Sequence, residues 1–88
     1  MTVWRKIDTA YLESRIDGET LLITMDEGRI LSLEGTARSV WEHLDGMRSE
    51  SELAARMQEG FDGERAQIEA DVKRFCHELA DAGLVATV

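Results

Sequence analysis

The hydrophobic pattern of this chain changes its period once, at Glu34-Gly35. Before this point apolar residues alternate with a period of two, as in β-strands. After it they recur every three to four residues, as in amphipathic helices. A single change of this kind puts the predicted strands in the first part of the chain and the predicted helices in the second. Strands and helices that are segregated in this way are typical of an α+β domain.

Three strands are predicted before the change, and tight turns join them. The strands cover residues 11–16, 20–25 and 29–33, with turns at Asp17-Gly18 and Glu27-Gly28. Glycine favours such turns because it adopts positive φ without a steric cost. Strands joined by short turns form an antiparallel meander. Residues 1–9 are predicted to be either a loose arm or a further short strand.

The second and third strands each alternate as a strand with one buried face should. In the second strand Leu21, Ile23 and Met25 alternate with Leu22 and Thr24. In the third strand Leu31 and Leu33 share the face that we assign to the core, and Ile30 and Ser32 share the other. As the last strand of a small sheet, the third strand should leave one row of backbone donors and acceptors unpaired.

Three helices are predicted after the change. The first has Thr36 as N-cap, an apolar stripe that extends towards Met47, and Gly46 near its end; the stripe consists of Val40, Trp41 and Leu44. The second opens at the capping box Ser49-Glu50-Ser51-Glu52 and runs towards Gly60.

The third predicted helix is the longest, from residue 64 to about residue 82, and its core stripe is Ile68, Val72, Phe75 and Leu79. Gly83 suits the left-handed position after a helix, and Leu84 suits the hydrophobic contact of a Schellman motif. The fold class predicted for residues 1–88 is therefore one α+β domain, with a three-stranded antiparallel sheet followed by three α-helices in a winged-helix-like arrangement.

The charge and composition exclude several functional classes. The net charge of −8 over 88 residues disfavours binding to a phosphate backbone, so we expect no nucleic-acid partner. No apolar run approaches the roughly 20 residues of a membrane span, and the N-terminal residues lack the apolar core of a signal peptide. One cysteine cannot form an internal disulfide framework. We expect a cytoplasmic domain without a membrane partner.

Few side chains could perform chemistry. Cys76 and His77 are adjacent, so on a helix they point about 100° apart and do not share a face. His43 is a single histidine on the first helix, and the spacing of the histidines and the cysteine does not match a metal site. No glycine-rich phosphate loop is present. We therefore predict no catalytic residue, no metal, no cofactor and no enzymatic activity.

A strand hairpin with three helices also permits a winged-helix DNA-binding protein. The second helix would then lie near the recognition position, where basic and amide side chains usually contact the groove. Here it carries Glu50, Glu52 and Glu59 against Arg56. The charge argues against DNA binding but leaves the architecture open to another use.

An open strand edge with an amphipathic helix beside it is the geometry of β-augmentation, in which an extended peptide joins a sheet. On the third helix Asp71, Arg74 and Glu78 form a stripe next to Phe75, at i, i+3 and i+7. One interpretation is a solvated charge stripe, as in a small enzyme subunit or adaptor with no peptide groove. The other is that these charges orient a peptide whose apolar side chains insert towards Val72 and Phe75.

Several stretches, in this order and spacing, resemble the PqqD-like family, whose members are also called recognition elements of RiPPs, the ribosomally synthesised and modified peptides. The stretches are DGETLLI at 17–23, GRILSL at 28–33, VWEHLDG at 40–46, Asp71-Val72 with Phe75 and Leu79, and Ala82-Gly83-Leu84. The resemblance covers roughly residues 10 to 85. The sequence departs from the family pattern at Glu34, at Ala37 and at Ile30-Leu31, where asparagine, glycine and aromatic residues respectively are common.

The resemblance implies three antiparallel strands followed by three helices, and a non-catalytic function. The leader of a precursor peptide would add as a strand beside the third strand, and the domain would present it to a maturation enzyme. That enzyme would be the leader peptidase and cyclase of lasso-peptide biosynthesis, which we prefer, or a radical SAM protein, as for pyrroloquinoline quinone. By this resemblance the peptide-binding residues are Arg29, Ile30, Leu31, Ser32, Leu33, Asp71, Val72, Arg74, Phe75 and Glu78.

Overall fold

The computed structural model describes residues 1–60 and 62–88. Strands and helices are segregated as predicted, apart from one short strand that follows the helices. In order, the elements are β1 (Trp4–Lys6), a 3₁₀ turn (Asp8–Ala10), β2 (Tyr11–Ile16), β3 (Glu19–Thr24), β4 (Ile30–Leu33), α1 (Gly35–His43), α2 (Glu50–Gly60), α3 (Arg65–Asp81) and β5 (Val85–Thr87).

Strands β2, β3 and β4 form the predicted antiparallel meander, in the spatial order β2-β3-β4. Asp17 and Gly18 connect β2 to β3 with φ values of 48° and 80°. Positive φ at both central residues is the requirement of a type I′ hairpin turn, which suits the twist of the two strands. This turn is confirmed.

Strand β3 alternates as predicted, but its buried face is the more polar one. Thr20, Leu22 and Thr24 are buried, whereas Leu21 and Ile23 are only half-buried. The hydroxyl oxygen of Thr24 accepts the backbone N–H of Arg29 at 2.9 Å, which satisfies one of the buried polar groups. The opposite face of the sheet, which lies away from the core, therefore carries the larger apolar side chains of β3.

The two ends of the chain pair with each other. Strand β1 runs antiparallel to β5, with Trp4 opposite Thr87 and Lys6 opposite Val85. Residues 1–9 thus contain a strand rather than a loose arm. No sequence pattern predicts β5, because three residues are too few to show a period and its partner lies at the other end of the chain.

Helix α1 begins earlier than predicted. Thr36 as N-cap is wrong, since Glu34 is the N-cap residue and the helix starts at Gly35. The carbonyl of Glu34 accepts the N–H of Arg38 at 3.4 Å, and no side chain caps this end. Met47 lies beyond the helix and is 79% exposed, so the apolar stripe does not reach it.

The capping box of α2 is confirmed. The N–H of Glu52 donates to Ser49 Oγ at 3.1 Å, and the N–H of Ser49 donates to Glu52 Oε1 at 2.9 Å. These reciprocal bonds satisfy two backbone donors that would otherwise lack partners at the start of the helix.

The Schellman motif at the end of α3 is also confirmed. The N–H of Leu84 donates to the carbonyl of Leu79 at 3.0 Å, and that of Gly83 donates to Ala80 at 2.9 Å. Gly83 has a φ of 79°. The motif turns the chain sharply, and Leu84 and Val85 enter the core directly after it.

The core lies between the helices and the two sheets, and tryptophans from different elements are buried in it. Trp41 of α1 donates its indole N–H to Glu13 Oε1 of β2 at 2.9 Å. Trp4 of β1 donates to Glu50 Oε2 of α2 at 2.8 Å. Each bond joins a strand to a helix, and each satisfies a polar group that burial would otherwise leave unpaired.

None of the helices in the described part of the chain combines the length and the apolar character that a membrane crossing requires.

Candidate functional site

The free edge of β4 exposes the backbone groups of alternate residues. The N–H of Thr24 donates to the carbonyl of Arg29 at 2.9 Å, so these two residues form a hydrogen-bonded pair at the start of the ladder. Hydrogen-bonded and non-hydrogen-bonded pairs alternate in antiparallel strands. By the observed register, Leu31 and Leu33 therefore bond to β3. The N–H and C=O groups of Ile30 and Ser32 point away from the sheet.

A groove runs between β4 and α3 and consists of two adjoining cavities of about 630 and 320 Å³. Ala37, Phe75 and Glu78 line both cavities, which makes the groove continuous. The other lining residues are Arg29, Ile30, Leu31, Ser32, Leu33, Leu79, Asp81 and Ala82 in the larger cavity, and Thr36, Val40, Asp71, Val72 and Arg74 in the smaller. We call this feature the β4–α3 groove.

The structure brings all ten predicted peptide-binding residues together along the β4–α3 groove. The other residues that line the groove are not among those predicted from the sequence; they are Thr36, Ala37, Val40, Leu79, Asp81 and Ala82. Asp81 could have been found, because it continues the 71, 74, 78 spacing of the charged stripe by one more step. The alanines give no such signal, since only the tertiary packing shows that small side chains leave the groove open.

The floor of the groove is apolar and its rim is polar. Leu33 and Val72 belong to the buried core, so they contribute only the floor. Phe75 and Leu31 are half-buried and form the accessible apolar surface between floor and rim. Ile30 and Ser32 lie on the exposed face of β4, and the hydroxyl of Ser32 donates to the Glu19 carboxylate.

The charged groups on the rim differ in whether they already have partners. The Asp71 carboxylate accepts a bond from Arg74 Nη2 at 2.8 Å and another from Gln67 Nε2 at 3.0 Å. Arg29 Nε lies 3.6 Å from the carboxylate of Glu27. Among residues 1–60 and 62–88, neither Glu78 nor Asp81 has a side-chain hydrogen bond or an ion pair.

The opposite edge of the sheet, at β2, carries charged side chains. Glu13 and Arg15 form an ion pair at 3.0 Å on the core-facing side of this strand. Lys6 Nζ lies 4.4 Å from the ring centroid of Trp41, and its charge acts on the Glu13 carboxylate. Charged side chains that point inward at an edge disfavour the addition of another strand. The edge at β4, in contrast, is open and is bordered by the β4–α3 groove.

The pKa values of Glu13 and Lys6 reflect this arrangement. Burial would raise the pKa of the Glu13 carboxyl, but hydrogen bonds from Trp41 and Arg15, with the charge of Lys6, outweigh it and lower the pKa. Burial lowers the pKa of Lys6, although the nearby carboxylate of Glu13 opposes the shift. Glu13 is therefore held as a carboxylate at neutral pH, which keeps the β2 edge charged.

Cys76 and His77, which the sequence analysis considered as reactive side chains, do not form a reactive site. Cys76 is fully buried, and burial, with the charge of Glu50, raises the pKa of its thiol to about 12. A neutral thiol is a poor nucleophile. The ring of His77 packs edge-on against Trp4, with 5.2 Å between the centroids. In the described part of the chain, no three His, Cys, Asp or Glu side chains gather as metal ligands.

The comparisons with known proteins agree with this fold. The family model of coenzyme PQQ synthesis protein D (PqqD) matches residues 19–85. No curated protein sequence matches the chain.

Two solved structures are similar to the chain over nearly its whole length. "TbiB1 in Complex with the TbiA(beta) Leader Peptide" has a TM-score of 0.81 and 22% identity, over 92% of this chain and 93% of that one. "Lasso peptide synthetase B1 complexed with the leader peptide" has a TM-score of 0.83 and 19% identity, over 94% and 96%. At these identities the likeness establishes the shared fold.

The orientation of the β4 backbone predicts opposite effects of proline at two neighbouring positions. Ser32→Pro removes a donor that faces the open edge and should leave the free energy of unfolding within about 1 kcal/mol of wild type. Leu31→Pro removes a donor to β3 and should cost about 3 kcal/mol beyond the loss measured for Leu31→Ala. Urea denaturation, followed by circular dichroism, measures both.

Ser32→Ala is the control for the lost hydroxyl bond to Glu19. A Ser32→Pro protein as unstable as Leu31→Pro would show that the backbone of Ser32 pairs with β3, and the proposed edge would be misassigned.

Proposed function

This chain belongs to the coenzyme PQQ synthesis protein D (PqqD) family, and we propose that it binds the leader of a ribosomally made precursor peptide and delivers it to a maturation enzyme. The domain itself catalyses no reaction in this account. It acts in the cytoplasm, where the precursor is synthesised. The observation that carries the proposal is the open edge of β4 beside the β4–α3 groove.

Strand addition explains how such a shallow site can bind a peptide. The backbone groups of Ile30 and Ser32 would exchange hydrogen bonds with the leader, and these bonds would supply affinity that does not depend on sequence. Every second side chain of the added strand would face α3 and enter the groove over Phe75 and Leu31. The remaining side chains would lie on the exposed face of the sheet. Specificity would come from the side chains that enter the groove.

The solved structures favour the lasso-peptide form of this function. Both similar structures were determined with a leader peptide bound, and one is described as a lasso peptide synthetase B1. We therefore propose a leader peptidase and cyclase pathway as the destination of the precursor. The alternative is that the domain presents the precursor of pyrroloquinoline quinone, or of another RiPP, to a radical SAM enzyme, as the name of the family suggests.

A winged-helix DNA-binding role has less support. Helix α2 presents Glu50, Glu52 and Glu59, and its Arg56 is already 3.6 Å from the carboxylate of Glu59. An anionic helix placed in the major groove would be repelled by the phosphates that border it.

Leader binding is tested by fluorescence anisotropy with labelled leader peptides from precursor genes that neighbour this one. We expect one leader to bind with a Kd in the micromolar range or tighter. Ser32→Pro should weaken this binding by about tenfold or more, because it removes a donor from the open edge and places a ring there.

Arg56→Gln, on the far helix α2, serves as the folded control and should bind as wild type does. Binding that survives Ser32→Pro in a folded protein would contradict strand addition at β4. The absence of binding to every neighbouring leader would contradict the proposed function.

Delivery to an enzyme requires a second surface that stays free when the groove is filled. The outer face of the three-stranded sheet meets this requirement, because a strand added to β4 extends the sheet within its own plane. Leu12, Ile23 and Ile30 lie directly opposite one another across the three strands on this face. Leu12 and Ile30 are 58% and 66% exposed. We propose that the maturation enzyme docks on this face.

The bound leader would take part in the same contact. Ile30 lies on the outer face and also lines the groove, so the face is continuous with the peptide site. The outward side chains of an added strand would lie beside Ile30 and enlarge the apolar surface. An enzyme docked there would recognise the loaded domain better than the empty one.

Leu12→Glu separates delivery from binding. Leu12 is on the strand furthest from the groove, so the variant should bind the leader within about twofold of wild type. It should lower the rate of leader cleavage by the cognate peptidase by about tenfold or more, because a charge would be buried in the contact. Ser14→Glu, between two apolar positions of the same face, should have a smaller effect in the same direction. Unchanged cleavage with Leu12→Glu would exclude this face as the docking surface.

A further inference from the structure

The rim of the β4–α3 groove carries two carboxylates that have no partner among residues 1–60 and 62–88, and their charge affects which leader peptides can bind. We propose that the groove selects a leader with a positively charged side chain two residues away from the apolar side chain that it inserts over Phe75. Glu78 and Asp81 would bind this cation. The inference rests on the proposed function and names the chemistry of the peptide.

The availability of these two carboxylates distinguishes them from the rest of the charged stripe. Asp71 is already bound by Arg74 and Gln67. Glu78 and Asp81 are exposed, line the larger cavity of the groove, and have no ion pair within the described residues. Arg29 lines the same cavity, but its guanidinium pairs with Glu27 on the preceding turn.

The spacing of the groove fits the period of a strand. Arg29, before β4, shares a cavity with Asp81, and Thr36, after β4, shares one with Asp71, so β4 and α3 run in opposite directions along the groove. The rise of a helix places the midpoint between Glu78 and Asp81 about 7 Å along the axis from Phe75. Side chains two residues apart on one face of a strand are also separated by about 7 Å. One apolar and one cationic side chain therefore fit together.

Apart from Arg29, which pairs with Glu27, the charges around this end of the groove are negative. A neighbouring cavity of about 410 Å³ is lined by Asp26 and shares Ala82 with the groove, so the acidic surface continues past Asp81. The chain as a whole carries a net charge of −8. Both features attract a cationic peptide and repel an anionic one.

The test selects random twelve-residue peptides, displayed on phage, against three immobilised proteins. They are the wild type, Glu78→Lys/Asp81→Lys, and the control Glu59→Lys/Asp62→Lys, which has the same change in net charge away from the groove. Each selection is repeated against Ser32→Pro, and only peptides that depend on the open edge are kept. Wild type and control should enrich Lys or Arg two residues from an apolar residue, and the groove variant should enrich Asp or Glu there.

One selected peptide is then synthesised with Lys or with Gln at the enriched position. By anisotropy the lysine peptide should bind wild type about threefold to tenfold more tightly, and high salt should reduce the difference. Edge-dependent peptides without a preference for a cation would overturn this inference and leave the proposed function standing. If no peptide depends on Ser32, the proposed function fails, and this inference fails with it.

Discussion

The unpaired backbone groups of an edge strand can form hydrogen bonds with any extended chain, and the two edges of the β2-β3-β4 sheet differ in how far they allow this. At β2 the Glu13–Arg15 ion pair, together with Lys6 over Trp41, puts charge where an added strand would have to pack. At β4 the backbone of Ile30 and Ser32 is left open beside an apolar groove. An open edge of this kind is a risk for aggregation unless it has a partner. A binding role for β4 gives a physical reason for the asymmetry.

The rest of the fold positions α3 beside that edge. The Schellman motif ends α3 and returns the chain to the core, where β5 pairs with β1. The buried indoles of Trp4 and Trp41 bind carboxylates on neighbouring elements and so fix strands to helices. Small side chains at Ala37 and Ala82 keep the space between β4 and α3 open.

The features that the sequence predicted correctly are those whose cause lies within a few residues. The Asp17-Gly18 turn, the capping box at Ser49 and the end of α3 at Gly83 each depend on local backbone geometry. The features it missed depend on distant parts of the chain. Strand β5 exists because β1 is available to pair with it, and the buried face of β3 is decided by where the helices pack. The sequence predicts the wrong N-cap for α1 because no side chain in the described part of the chain caps that helix.

The candidate site also combines features that the local sequence predicts with features that depend on the tertiary structure. The alternation of β4 and the charged stripe of α3 are periodic, so both could be recognised in the sequence, and the resemblance to the PqqD-like family implied that they border one groove. Burial could not be recognised in this way, and Val72 proves to be part of the floor rather than of the accessible surface. The pairing of charges was also hidden, because only the structure shows that Asp71 has partners and that Glu78 has none among the described residues.

Amide hydrogen exchange on the free and leader-bound protein tests the central claim most directly. The account predicts that the amides of Ile30 and Ser32 exchange rapidly in the free domain and become protected when the leader binds. Those of Leu31 and Leu33 should be protected in both states, because they bond to β3. New protection at Glu13 and Arg15 on the β2 edge, or bound leader without any new protection on β4, would contradict it.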